Sequence, residues 1–185
     1  MELYISWVTT NPMLSAAIQF GLLGTLGEYV SSWFKTKTLS LNCTWLQLIF
    51  KMLAWAFLGL VIKYGFIGMK GFAKALITDG LVPSFFHHGI GKALLISTIT
   101  NVLFGPQMML FHRVEENIIM KTKGYNGMEV ALKSLIWFWI PAHTITFSLP
   151  RAYQIGLAAC WSVVLGIILG LATPPSDNKV SKVAN

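Results

Sequence analysis

From Leu3 to Gly27 the chain carries no charged residue, and the best helical span within and beyond this run is Met13 to Phe34, with Pro12 placed to start it. A second apolar block, Trp45 to Met69, is broken only by Lys51 and Lys63. Phe72 to Gly91 is different: Lys74, Asp79, Gly80, Pro83 and the pair His87-His88 interrupt short apolar pieces, which predicts an interfacial helix rather than a span. A third block runs from Lys92 to about Phe111 and holds Ser97, Thr98, Thr100 and Asn101, polar enough to want partners inside a bundle. Arg113 to Lys133 is the most polar stretch and predicts a water-exposed loop. From Ser134 to Ala172 Arg151 is the sole charge, and a straight helix of that length would reach about 58 Å, roughly twice a hydrocarbon core. The stretch must bend, and Pro150-Arg151 is the expected corner.

The fold class that follows is an all-α integral membrane bundle of four to five transmembrane helices plus an interfacial helix. It forms a single domain over residues 1–173, with a polar tail over 174–185. Small residues recur where helices would touch: Gly21, Gly24 and Gly27 in the first block, Gly59, Gly65, Gly68 and Gly71 around the second, and Gly166 and Gly170 near the end.

Composition sharpens this picture. Hydrophobic residues make up 55% of the 185 positions and charged residues 11%, about half the charged share of a soluble domain. The net charge of +7 comes from basic residues beside the apolar blocks, which predicts membrane lipids, anionic lipid included, as partners and not nucleic acid. If all five pieces cross, Lys35, Lys37, Arg113, Lys121, Lys123, Lys133, Lys179 and Lys182 share one side against Lys70, Lys74, Lys92 and Arg151, which puts the C-terminus on the positive side. Cys43 and Cys160 lie far apart and form neither a CxxC nor a metal-ligand pattern, and Asn42-Cys43-Thr44 is a chance-level glycosylation sequon. The Met-Glu-Leu-Tyr start lacks a basic leader, so targeting information is expected to be internal.

Several residues together carry a resemblance. The first block has Asn11-Pro12, Gly21, Leu26-Gly27-Glu28 and Ser31; the second has Lys51, then Gly59, further glycines, and Phe72 and Leu76; the last third has Trp139, Phe147, Pro150 and Trp161. In this arrangement the chain resembles the Mpv-seventeen/peroxisomal membrane protein twenty-two family, with Glu28 for the family's usual Asp, Ser32 for its Gln, Ile96-Ser97-Thr98 where an Asp-Gln pair is usual, and Gln154 where an arginine is expected. The resemblance gives Pro12, Gly21, Gly27, Gly59, Trp139, Phe147 and Pro150 the role of structural motif residues. It implies a multi-span protein of the inner mitochondrial membrane or the peroxisomal membrane, a family in which some members are regarded as small-solute channels, and neither enzymatic activity nor a cofactor.

Among candidate site residues Glu28 is the sharpest, because an ionisable group in a membrane helix needs a partner, a polar cavity or an interface. Pairing with Lys51 or Lys63 would lock two helices together; lining a pore with Ser97, Thr98 and Asn101 is the functional reading. His87 and His88 lack ligand spacing and suit the interface, and His143, beside Thr144 and Thr146, suits hydrogen-bonded packing. Trp137, Phe138, Trp139 and Phe147 are expected in an aromatic belt at headgroup level. No triad, phosphate-cradling loop or HExxH motif is present. Two functions follow as expectations: a solute conduit, or a non-catalytic structural (supernumerary) subunit bolted to other membrane protein subunits, as in a large respiratory complex.

Overall fold

The computed structural model describes residues 1–36 and 43–172, and regular structure among them is entirely helical. Six helices follow in order: α1 (Glu2–Thr10), α2 (Pro12–Thr36), α3 (Trp45–Thr78), α4 (Gly89–Met120), α5 (Met128–Ser148) and α6 (Arg151–Ala172). A short 3-10 turn, Ser84–His87, stands between α3 and α4. Three of the helices, α3, α4 and α5, are long and apolar enough to cross a membrane.

Local chemistry sets the ends. Pro12 begins α2, where its missing N–H costs nothing. Thr44 caps α3 in a reciprocal capping box with Gln47: the Thr44 Oγ1 accepts from the Gln47 amide at 3.2 Å, and the Gln47 side chain accepts from the Thr44 amide at 2.8 Å. Lys121, with φ 55°, closes α4 in the left-handed conformation. Leu149 is extended ahead of Pro150, and α6 starts at Arg151, so the corner falls where the sequence placed it.

The helices run alternately up and down. Gly59 lies opposite Ala16, Gly21 opposite Ala56, and Glu28 opposite Lys51, so α2 and α3 are antiparallel. Lys51 with Glu116, Trp55 with His112 and Gly65 with Phe104 give the same sense to α3 and α4. α2 packs most extensively on α3 and α6, while the first half of α4 lies along the second half of α5. The core joins Ala16 and Phe20 of α2, Phe66 and Ala73 of α3, Ile96 and Ile99 of α4, Phe147 of α5, and Ile155, Ala158 and Ala159 of α6.

Close approach depends on bare backbone at particular points. A Cβ on Gly27 would sit 2.9 Å from the Ser162 carbonyl oxygen of α6, and one on Gly59 2.7 Å from that of Ala16. Gly24 lets the Trp55 indole lie directly over the α2 backbone. Gly68 and Gly71, expected to serve the same purpose, face open space.

Other expectations are also corrected. α3 continues past Met69 to Thr78, absorbing the first part of the stretch read as an interfacial helix and leaving only the short turn Ser84–His87. Residues 113–120, read as loop, extend α4, because Val114, Ile118 and Ile119 sustain an apolar-polar helical pattern around the charges. The Leu3 to Thr10 stretch forms α1, tied to α2 by a 2.8 Å hydrogen bond from the Tyr4 hydroxyl to Gln19 Oε1 and stacked on Tyr153 of α6. The tail over 174–185, Lys37 and Asn42 of the sequon lie outside the described residues, as do the side chain of Lys35 and the surroundings of Gly166 and Gly170.

Candidate functional site

Glu28 sits two turns from the end of α2, and Lys51 lies at a matching depth in α3, so antiparallel packing brings them together. The Lys51 Nζ is 2.6 Å from Glu28 Oε2 and 2.7 Å from Glu116 Oε1 of α4, so one ammonium joins three helices. The Lys51 side chain is only 8% exposed, against 21% for Glu28 and 25% for Glu116, so little water competes for its protons. The other Glu28 oxygen accepts a 2.6 Å hydrogen bond from the Trp55 indole N–H. His112 Nε2 stands 3.8 Å from the same oxygen, with its ring 4.5 Å from the Trp55 ring.

Of the two lysines considered as partners for Glu28, Lys51 is therefore the one that meets it. Lys63, three turns further along α3, lies towards the opposite end of the bundle. Glu116, His112 and Trp55 were missed by sequence reasoning. The first two lie where the sequence reads as loop or its edge, and the available signal is their i, i+4 spacing, which puts both on the same face of a helix.

The hydroxyls of α4 form a second polar set at mid-bundle. Ser97 is fully buried and donates to the Ile140 carbonyl of α5 at 2.7 Å. Asn101 Nδ2 lies 2.8 Å from the Ser97 carbonyl and 3.1 Å from His143 Nδ1, which leaves the imidazole proton on Nε2. Thr100 bonds back to Ile96, and Thr98 is half-buried. His143 is packed between the Phe66, Trp139 and Phe147 rings, with centroids 5.0–5.9 Å away.

Both helices carrying this set are locally widened. A π turn over Thr100–Phe104 in α4 touches one over Leu135–Trp139 in α5, and a proline, Pro106 or Pro141, follows each by two positions. Proline has no N–H to donate and its ring collides with the carbonyl four residues back, so the preceding turn opens. The sequence holds this signal in its prolines, though neither π turn was read from it.

Between the two polar sets lies a cavity of about 110 Å³, bounded by Trp55, Phe66, Asn101, His112, Trp139 and His143. That is room for a solute of a few heavy atoms, and the lining is almost wholly apolar. His112 Nδ1 and Trp139 Nε1 are buried and have no hydrogen-bond partner among the described residues. Phe66 also borders a second cavity of about 350 Å³ at the other end of α3, where Lys63, Lys70, Lys74 and Arg151 gather.

Of the aromatic residues expected in a belt, Trp137 is half-exposed. Phe138 and Phe147 are buried, and Trp139 lines the central cavity, because the π turn rotates this face of α5 inward. His87 Nε2 donates to the Val82 carbonyl at 3.2 Å, closing its own turn. Of the remaining motif residues, Gly21 abuts Met52 and Ala56 of α3, and Pro150 is the exposed corner before α6.

Comparison with family models, with curated proteins and with solved structures finds no match to this chain.

Proposed function

We propose that this chain is a multi-pass membrane bundle that conducts small solutes and that the conformation described is its closed state. The observation that carries the reading is the mid-bundle cavity, which lies against two facing π turns and is bordered by the buried polar residues Asn101 and His143. Facing π turns at that level support the same reading, since widened turns recur at functional positions in helices. Phe66 separates the cavity from the basic one, and Trp55 with the Lys51 ion pairs closes the other end.

On this reading α2 and α6, 25 and 22 residues long, cross with α3, α4 and α5, for five spans, and α1 lies along the interface. The resemblance to the Mpv-seventeen/peroxisomal membrane protein twenty-two family favours the inner mitochondrial membrane, with the peroxisomal membrane as the alternative.

The test is release of small neutral and charged solutes from proteoliposomes. Phe66→Ala joins the two cavities and is expected to raise flux several-fold over the unsubstituted protein, while Glu28→Gln alters its charge selectivity. If neither the unsubstituted protein nor Phe66→Ala passes any solute faster than protein-free vesicles, the conduit reading goes.

A second reading, a non-catalytic subunit of a larger membrane assembly, draws on a different observation. Glu28, Ser97 and Asn101 all bond inside the bundle, as they would in a brace. Migration on native gels separates the two: a megadalton band shared with other subunits supports the brace, and a small oligomer the conduit.

A further inference from the structure

The cavity at the far end of α3 is built unlike the rest of the molecule. Lys63, Lys70, Lys74, Arg151 and Gln154 line it, and no acidic side chain does so among the described residues. None of its four cations makes an ion pair among the described residues, although Lys51 and Lys133 both do. Like charges gathered in one cavity disfavour one another unless an anion joins them.

Lys70 is also held in place. Its Nζ donates to Gln154 Oε1, Gln154 is buried and donates in turn to the Leu149 carbonyl at 2.8 Å, and the ammonium stands 5.4 Å from the Phe147 ring centroid and 6.0 Å from that of Phe66. A snorkelling lysine that only marks the interface has no need of such fixing. Arg151 supplies a planar fork that suits two oxygens of one tetrahedral anion. The volume of about 350 Å³ accommodates a phosphate group and part of what it is attached to.

We infer that the cavity between the end of α3 and the start of α6 is a binding site for a phosphate-bearing anion, held by Lys70 and Arg151 with Lys63 and Lys74 adding charge. The phosphate belongs either to a lipid headgroup reaching in from the leaflet or to a free phosphate compound. The inference does not rest on conduction, and it is read at equilibrium without transport, so either can fail alone.

The experiment uses the full chain with two arms. In the first, the protein is held in nanodiscs of phosphatidylcholine with one tenth phosphatidylglycerol, and native mass spectrometry counts the phosphatidylglycerol retained. In the second, inorganic phosphate is titrated against the protein in pure phosphatidylcholine discs and followed by the shift in melting temperature.

Lys70→Gln with Arg151→Gln is expected to weaken binding about 30-fold, on the scale of one cation each at an anionic site. Lys123→Gln with Lys133→Gln removes the same charge elsewhere and is expected to change nothing. Should the first pair fail to fold, Lys63→Gln with Lys74→Gln removes two cations of the same cavity without touching the Gln154 contact and carries the same expectation. Loss confined to the cavity variants in the lipid arm assigns a headgroup, and loss in the phosphate arm assigns a free compound. Equal binding by cavity variants, control variant and unsubstituted protein in both arms overturns the inference.

Discussion

Lys51 is the residue on which the packing of three helices depends. A cation beside two carboxylates, nearly out of water, contributes little net stability over an apolar substitute of the same shape, but removing it alone leaves two like charges facing each other. Lys51→Met is therefore expected to destabilise the protein in detergent by about 3 kcal/mol, whereas the triple change Glu28→Gln, Lys51→Met, Glu116→Gln restores most of that loss. Thermal or denaturant unfolding of the three proteins, the unsubstituted one, Lys51→Met and the triple variant, in one detergent checks this. A Lys51→Met variant that melts with the unsubstituted protein shows that these ion pairs do not hold the three helices together. That an acid at position 28 needs a basic partner was legible in the sequence, because an ionisable group in an apolar run has few alternatives. That the partner is shared with Glu116 was not, since it depends on α4 continuing as a helix through charges that read as loop.

At the level of elements, glycine has opposite meanings at different points of the same bundle. Gly27 allows the α2 backbone to touch that of α6, so Gly27→Ala must push two helices apart and is expected to cost about 1–3 kcal/mol. Gly68 faces open space on α3, so Gly68→Ala meets nothing and is expected to stabilise the helix by up to about 1 kcal/mol. The same unfolding assay reads both, and equal effects would show that helix contact does not decide them. Spacing in the sequence marked both glycines alike, because a repeat of small residues says that close contact is possible without saying which side the neighbour occupies. The prolines carry a clearer local message. Pro106 and Pro141 each follow an opened turn, yet the consequence, two widened turns meeting around Asn101 and His143, belongs to the pairing of α4 with α5.

For the whole molecule, apolar side chains cover the outside as well as the core. Along α3 alone Ile49, Phe50, Leu53, Phe57, Tyr64 and Ile67 are exposed, while the buried interior holds Lys51, Ser97, Asn101, His143 and Gln154. Such a surface suits a hydrocarbon solvent, and exposed apolar patches of this extent do not persist in water. The two cysteines test how the bundle sits. If α6 crosses the membrane, exposed Cys160 lies midway along it facing lipid, and Cys43 stands at the loop before α3. In sealed proteoliposomes a membrane-impermeant maleimide is expected to label Cys43 from one side and to leave Cys160 unlabelled until detergent is added. Rapid labelling of Cys160 in intact vesicles would show that α6 does not span.

What the sequence determined by itself is the solvent and the class: long runs without charge, interrupted at Pro12 and Pro150, leave the backbone no partners but its own and so dictate membrane-length helices and their corners. What only the tertiary structure decided is which polar groups meet. Lys51 with Glu28 and Glu116, Asn101 with His143, and Lys70 with Gln154 are each far apart in the chain. A side chain's direction around a helix is set by turn-by-turn geometry, but its partner is set by which helix lies alongside, and that is fixed by the fit of bare backbone, bulky rings and widened turns across the bundle.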